Sequence, residues 1–349
     1  MKKELPDTYS ESLFIDSGAH SLYFKHVAKV DPKDRDPKSW VNGKLAWGHG
    51  DFSFFDLTAG SEFRKYADGY AKFIKAMKAK DPTMLFANID VISNPQKSWE
   101  VQEYFEKEHG LYPVPVIHCH TDMKWVEHYL EREENFPLLG IGGIAQQISK
   151  QEYFGWGDKL FTVLCPKSND YLPLRRTHGF AMTSVELMFR YPWWSVDSTS
   201  WVKYSAYGWV ALPRSNAKGE FLLDQTPITV NFSRRSGKWS YPKHGAIHTA
   251  DNAEAPSPRA MERAKHYDNL PGAHKEMVVR WLTHIGIDLK AVDDNRDNTE
   301  MDLTNHHRMR SIANLIYFNE LQSAIPAYPW PLSLAVRKAQ TATRPTLGL

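Results

Sequence analysis

Cysteine is scarce: Cys119 and Cys165 are the two present in 349 residues. That excludes a disulfide framework and any zinc cluster built from three or four cysteines. No apolar run approaches the roughly 20 residues that cross a bilayer. The first residues, MKKELPDTYSES, lack the apolar core of a signal peptide, so the expected location is the cytoplasm, with no membrane partner. Net charge is nearly absent too. Lys plus Arg number 43 and Asp plus Glu 41, leaving +2, so a nucleic-acid partner must be met by a local basic patch. Repeats of fixed period and low-complexity tracts are missing. No G-x-G-x-x-G, Walker A or G-x-S-x-G pattern occurs, which leaves nucleotide-cofactor folds and serine hydrolases without support.

What is present is globular material. Hydrophobic residues make up 42% and charged residues 24%, which excludes wholesale disorder. The first two thirds alternate between strand-like and helix-like segments. Strands are expected at Ser12–Asp16, Met84–Ile92, Val114–Cys119, Pro137–Ile141, Thr177–Met182 and Trp194–Asp197. Helices are expected at Glu62–Lys80, Pro95–His109 (capped by Ser93 or Asn94), Asp122–Arg132, Ile144–Tyr153, Lys159–Cys165 and Ser184–Arg190. Such alternation predicts a mainly parallel sheet, and the number of units favours a (β/α) barrel, regular or distorted, over a small open sheet. After Ser198 the pattern changes. Tyr207–Leu212 and Phe221–Phe232 read as strands around a Ser-Asn-Ala-Lys-Gly turn, Asp251–His274 as a loop, and Lys275–Ile285 and His306–Ala324 as helices. The expected organisation is a catalytic barrel core over 1–205, a strand-rich hairpin or insertion over 206–250, and a helical part over 251–349 that completes the same domain.

Three aspartates close expected strands: Asp16, Asp90 and Asp197. In a parallel α/β barrel that edge faces the active site, and an unpaired buried carboxylate is costly. Each aspartate alone is equally well a helix cap or the partner of a buried arginine. Together, with Gly142-Gly143 at a fourth strand end, they favour acid, base or nucleophile chemistry. Two carboxylates flanking a bond are what glycosyl transfer needs.

The ordered segments DSGAHS (Asp16–Ser21), NIDVISNP (Asn88–Pro95), GIGGIAQ (Gly140–Gln146), HGFAMTS (His178–Ser184) and SVDSTSW (Ser195–Trp201) resemble the tRNA-guanine transglycosylase superfamily. Within it they resemble the DpdA branch, phage and bacterial enzymes that place 7-deazaguanines into DNA. The resemblance spans about residues 12–205 and a helix near 306–322. It implies a modified TIM-type (β/α) barrel with a C-terminal β-hairpin and helical additions. It implies Asp197 as nucleophile and Asp16 as general acid/base. Base binding falls to Asp90, to Gly142 and Gly143, and to His118, which stands where the family has a glutamine. The family's zinc-binding cysteines are absent, and Ala313 stands where its histidine ligand would be, so no structural zinc and no metal are expected. The segment after Asp197 reads STSWVKY rather than the family's Pro-Thr-Arg, which favours DNA over tRNA.

The implied reaction exchanges guanine in DNA for a 7-deazaguanine base, such as 7-cyano-7-deazaguanine, through an aspartyl-glycosyl intermediate and without ATP, redox cofactor or metal. Accessory modification enzymes are implied as further partners. Candidate phosphate contacts are Arg175, Arg176, Arg234, Arg235 and Lys238, with Arg308 and Arg310 on a helix. The Arg234, Arg235 and Lys238 stretch adds Trp239 as a stacking face. Three other readings stand beside this one: a zinc-free tRNA-guanine transglycosylase, a non-catalytic nucleic-acid-binding subunit, and a metal-dependent hydrolase using the His118-x-His120 pair, which a strand would place on one face.

Overall fold

Ser61 accepts a hydrogen bond from the Arg64 N–H and starts a helix over Glu62–Lys78. Asn94 does the same for Pro95–His109, where Pro95 sits in the first turn and Gly110 (φ 61°) ends the helix in the left-handed region. Of the two caps expected for the second helix, Ser93 and Asn94, the structure uses Asn94. The computed structural model describes residues 14–27, 40–41, 44–45, 48–132, 136, 138–143, 149–182, 184–233, 266–287, 303–304 and 306–334. They divide between two compact units. One is drawn from Met1–Ala181, Tyr191–Asp197 and Tyr328–Leu349, the other from Met182–Arg190 and Ser198–Ala327. No helix among the described residues is long and apolar enough to cross a membrane.

The first unit is mixed α/β with parallel strands. Its elements are β1 (Phe14–Ile15), α1 (Ala19–His26), β2 (Trp40–Val41), β3 (Lys44–Leu45), α2 (Glu62–Lys78), β4 (Leu85–Phe86), α3 (Pro95–His109), β5 (Val116–His118), α4 (Met123–Leu130), β6 (Leu138–Gly142), α5 (Lys150–Leu164), β7 (Arg176–Gly179) and, after α6 (Val185–Arg190) of the second unit, β8 (Ser195–Val196). The β2–β3 pair is an antiparallel hairpin. β1 pairs with β4, and β5 to β8 form a four-stranded sheet in chain order, all parallel. A parallel bridge from Ala87 to Val114 carries β4 onto the β5 side.

The strands therefore follow one another as β1, β4, β5, β6, β7 and β8. In a flat sheet β1 and β7 would stand about 19 Å apart, four strand spacings. Instead the Phe14 ring on β1 lies edge-on to His178 on β7, centroids 4.8 Å apart, and 5.4 Å from Phe180. The strand array is strongly curled, and these rings meet inside the curl.

Burial follows the helical spacing. Phe63, Ala67, Ala71 and Ile74 line the inner face of α2 and pack with Phe86, Ile89, Val101 and Phe105. A fully buried phenylalanine contributes about 1.5–3 kcal/mol, so this cluster is a main source of the unit's stability. Further on, Tyr191 stacks on Phe161 at 4.4 Å and donates to Asp158 at 2.8 Å. Gly157 makes room for it, since a Cβ there would stand 2.7 Å from the Tyr191 hydroxyl.

Several expected elements differ. The strand expected over Met84–Ile92 is regular only at Leu85–Phe86. The Ala87 and Asn88 N–H groups still bond to the Ile15 and Val114 carbonyls; beyond them Ser98 takes over, its Oγ accepting from the Val91 N–H at 2.8 Å and its carbonyl from Asn88 Nδ2 at 3.2 Å. The two helices expected between 144 and 165 are one, Lys150–Leu164, set by a Ser149–Glu152 capping box; residues 144–148 lie outside the described residues. The segment after Gly18, given no element from sequence, is α1.

In the second unit, α6 is followed by α7 (Ser200–Ala206), β9 (Trp209–Leu212), β10 (Arg214–Ser215), β11 (Phe221–Leu222), β12 (Ile228–Asn231), α8 (Gly272–His284) and α9 (His307–Ala324). β9 pairs with β12 and β10 with β11, both antiparallel, so one hairpin sits inside another. The single strand expected over Phe221–Phe232 is divided by the Leu223-Asp224 turn. Sequence reading also missed α7, whose Ser, Trp, Val and Tyr have modest helix propensity.

Asn314 on α9 ties this unit together. Its Oδ1 accepts from the Ala211 N–H at 2.8 Å, and its Nδ2 donates to the carbonyls of Trp201 and Trp209 at 3.2 and 3.1 Å. The residue is fully buried. Asn314→Leu leaves three backbone groups without their partner, and such groups cost about 1–3 kcal/mol each when they stay dry. The expected outcome is a loss of about 3 kcal/mol, read as a lower urea midpoint by circular dichroism. A midpoint equal to that of wild type would show that these groups are satisfied in another way.

Candidate active site

Parallel pairing puts the carboxyl ends of all six strands on one edge. Asp16 follows β1, Asp90 follows β4 by four residues, His118 and Gly142 end β5 and β6, His178 lies in β7, and Asp197 follows β8. The residues picked from sequence as nucleophile, acid/base and base readers thus share one edge of one unit. Backbone strain gathers there as well. Positive φ angles occur at Gly18 (76°), Ser93 (66°), His120 (75°), Gly143 (109°) and Ala181 (54°), one after each of β1, β4, β5, β6 and β7. Non-glycine residues in this region cost about 1–2 kcal/mol each, and such strain concentrates at functional sites.

Asp90 and His118 form a buried couple. Asp90 Oδ2 and His118 Nε2 are 2.5 Å apart, with the residues 5% and 8% exposed. Register explains the ring's position. His118 pairs with Gly142 across the β5–β6 ladder, and a Cβ on Gly142 would stand 2.9 Å from the imidazole. At Gly143 a Cβ would meet the Cys119 Cβ and N at 2.8 Å, so both glycines are required by close approach.

Asp197 is held differently. Its side chain is 58% exposed. Oδ1 accepts from the Ala181 N–H at 2.8 Å and lies 3.6 Å from His178 Nε2. Partial burial pushes the pKa of this carboxyl up, but the His178 contact and the Ala181 N–H outweigh it and hold the group below the ordinary carboxylate range. His178 Nδ1 is in turn 2.8 Å from Ser195 Oγ.

Asp16 is exposed, with Oδ1 3.4 Å from the Gly18 N–H. Its charge reaches two tyrosines of α2. Tyr66 donates to the Ser17 carbonyl at 3.0 Å and Tyr70 to the Ala87 carbonyl at 2.9 Å. Burial raises both phenol pKa values, with a further rise from Asp16; Asp90 adds to the rise at Tyr70. One tyrosine therefore senses two of the three carboxylates.

Arg175 and Arg176, the proposed cations described in this unit, lie away from the three aspartates. Arg175 is buried, and its guanidinium donates to the carbonyls of Leu174 and Leu130 at 2.8 and 3.2 Å. Arg176 opens β7, at the opposite end of that strand from the carboxylates, and lies over the Trp194 ring at 5.3 Å. Neither joins the three aspartates. Arg310 is buried too, bonded to the carbonyls of Ser205, Leu303 and Thr304. Arg234, Arg235 and Lys238, with Trp239, lie outside the described residues. His118 and His120 do not share a strand face, because β5 ends at His118 and the chain turns through left-handed His120, with the Thr121 N–H bonded to the His118 carbonyl. Among the described residues no three His, Cys, Asp or Glu side chains are placed to hold a metal ion. Both thiols are buried, and burial pushes each up to about 12.

Sequence reasoning missed His178, Ser195 and Ala181. A usable signal was the Ser195-x-Asp197 spacing, which puts both side chains on one side of a strand. Compared with known proteins, the chain matches no family model, and no curated protein and no solved structure shows significant similarity to it.

The couple at Asp90 gives a prediction free of any assumed reaction. Asp90→Asn and His118→Gln, singly and together, are expected to show a coupling of about 2 kcal/mol in a double-mutant cycle of unfolding. Additive effects would mean that the two side chains do not act as a pair.

Proposed function

We propose that this chain is a base-exchange transglycosylase of the tRNA-guanine transglycosylase type, acting on DNA and replacing guanine by a 7-deazaguanine. The observation that carries this reading is the set of three aspartates on one strand edge, with Asp197 exposed and stabilised as an anion. The sequence segments that resemble the DpdA branch include all three. The curl of the strand array supports a modified TIM-type barrel as the complete fold.

In this reading the target nucleotide leaves the base stack, at a cost of a few kcal/mol in a duplex and less in a single strand. An oxygen of Asp197 donates its electron pair to C1′ as the C1′–N9 pair departs with guanine. Asp16 supplies a proton to the departing purine. The incoming base gives up its N9 proton to the Asp16 carboxylate and attacks C1′, and the Asp197 carboxylate leaves. Two displacements retain the configuration. Asp90 accepts from the N1 and exocyclic amine donors of the purine, and its bond to His118 fixes the carboxylate plane. Gly142 and Gly143 let backbone approach the base. DNA is favoured over tRNA because STSWVKY replaces the segment that follows the nucleophile in the tRNA enzymes.

The test is incubation with labelled guanine or 7-cyano-7-deazaguanine, with DNA and tRNA in parallel. Label is expected in DNA, with a loss of about 10⁴-fold or more in Asp197→Ala. Label in tRNA alone would transfer the activity to the other polymer. Exchange retained by Asp197→Ala would remove the proposed nucleophile. The lowered pKa of Asp197 adds a pH signature: its anion persists as pH falls through the ordinary carboxylate range, so the rate should be lost only below it. An acid limb above that range would assign the limiting ionisation to another group.

A further inference from the structure

We infer that His178, ordered by Ser195, is the positioning residue that decides which oxygen of Asp197 attacks. This rests on the transglycosylase reading for its chemistry, but the coupling of the three side chains stands on geometry alone.

The ring is fixed from three directions. Phe14 meets it edge-on at 4.8 Å and 84°, and Phe180 at 4.7 Å and 78°. Ser195 Oγ lies 2.8 Å from Nδ1. That leaves Nε2 directed at Asp197 Oδ1, 3.6 Å away. The proton positions follow from the partners. If Ser195 donates to Nδ1, the proton of a neutral ring is on Nε2 and faces the carboxylate. If the ring is protonated, Nδ1 donates to Ser195 and Nε2 still carries a proton. A bare Nε2 would set its lone pair against an anion, so an Nε2–H toward Oδ1 is the favourable state in both cases.

Oδ1 is thus bonded by the Ala181 N–H at 2.8 Å and faced by His178 Nε2 at 3.6 Å, and neither contact is made to Oδ2. The first of these requires Ala181 at φ 54°, a conformation that costs an alanine about 1–2 kcal/mol. Simple filling of space beneath Phe14 by an imidazole would not call for it. The 3.6 Å separation is longer than a formed hydrogen bond, and contacts of this kind tighten when the reacting complex forms.

The chemical consequence is a division of labour. Oδ2 donates its electron pair to C1′ while the C1′–N9 pair leaves with the purine. Oδ1 becomes the carbonyl oxygen of the resulting ester and keeps its two donors. In the second displacement the C1′–Oδ2 pair returns to the carboxylate, and the same donors stabilise the leaving anion.

The experiment is a titration of the full-length protein carrying ¹³C-carboxyl aspartate, with Asp197→Asn assigning the signal, alongside kinetics of base exchange. The groups facing the ring are Phe14, Phe180, Ser195 and Asp197, and of these Asp197 is the one that titrates below neutrality. In His178→Gln the Asp197 midpoint should move up, and kcat should fall about 10- to 100-fold, as when a partner that orients a reacting group is lost, with KM for DNA unchanged. Ser195→Ala should shift both in the same direction by less, and Ser195→Thr, which keeps the hydroxyl, should restore them. If His178→Gln does not fold, Ser195→Ala carries the same readouts. An unmoved Asp197 midpoint in folded variants overturns the proposal, as does wild-type kcat. A moved midpoint in the variants, with no base exchange by the wild-type protein, refutes the assigned reaction and the attack it implies, and leaves the coupling of Ser195, His178 and Asp197.

Discussion

Three missing side chains set the geometry of the β5–β6–β7 region. A Cβ at Gly140 would stand 2.6 Å from the Phe180 ring, one at Gly142 would stand 2.9 Å from the His118 imidazole, and one at Gly143 would run into Cys119. Without those gaps His118 could not turn toward Asp90, and Phe180 could not sit beside His178 and Phe14. The curl of the strand array and the buried couple at its edge therefore depend on the same close approach. Glycine is costly in a strand because it gives up packing and chain entropy. Here the aromatic rings that enter the space restore the packing.

The three carboxylates are treated unequally, and the inequality is chemical. Asp90 is buried and bound to a histidine, which fixes its orientation. Asp197 is exposed, stabilised as an anion from one side and open on the other. Asp16 stands exposed beside Gly18, with its field felt by Tyr66 and Tyr70. In the proposed transglycosylase reading, these separate environments would give one site a fixed acceptor, a nucleophile and a proton carrier from the same side chain. Left-handed residues follow five of the strands at this edge, and two of them, Gly18 and Ala181, present their N–H groups to a carboxylate. Ala181 is the clearest case, because its N–H reaches Asp197 directly.

Much of the architecture was legible in the residues. Apolar spacing, with the cap at Asn94 for α3, located α2, α3 and α4 closely, because helix signals are local. The strand ends at Asp16 and Asp197 were legible for the same reason, whereas the strand expected to run through Asp90 ends at Phe86. Short segments with side-chain bonding were not. Ser98 takes the Val91 N–H that a neighbouring strand would otherwise bond, and no local pattern announces a serine seven residues away that does so. Arg175 read as a cation available to phosphate, whereas it serves buried carbonyls, a use that depends on Leu130, 45 residues earlier.

The sequence by itself determined the alternation of strands and helices, the scarcity of thiols, and the presence of an aspartate after each of three strands, since all of these are properties of composition and near neighbours. Tertiary structure alone decided which groups meet. The pairing of Asp90 with His118, the chain from Ser195 through His178 to Asp197, and the burial of Arg175 and Arg310 each join residues brought together by strand register or helix packing. Register is set by many weak contacts summed over the sheet, so no single stretch of sequence contains it.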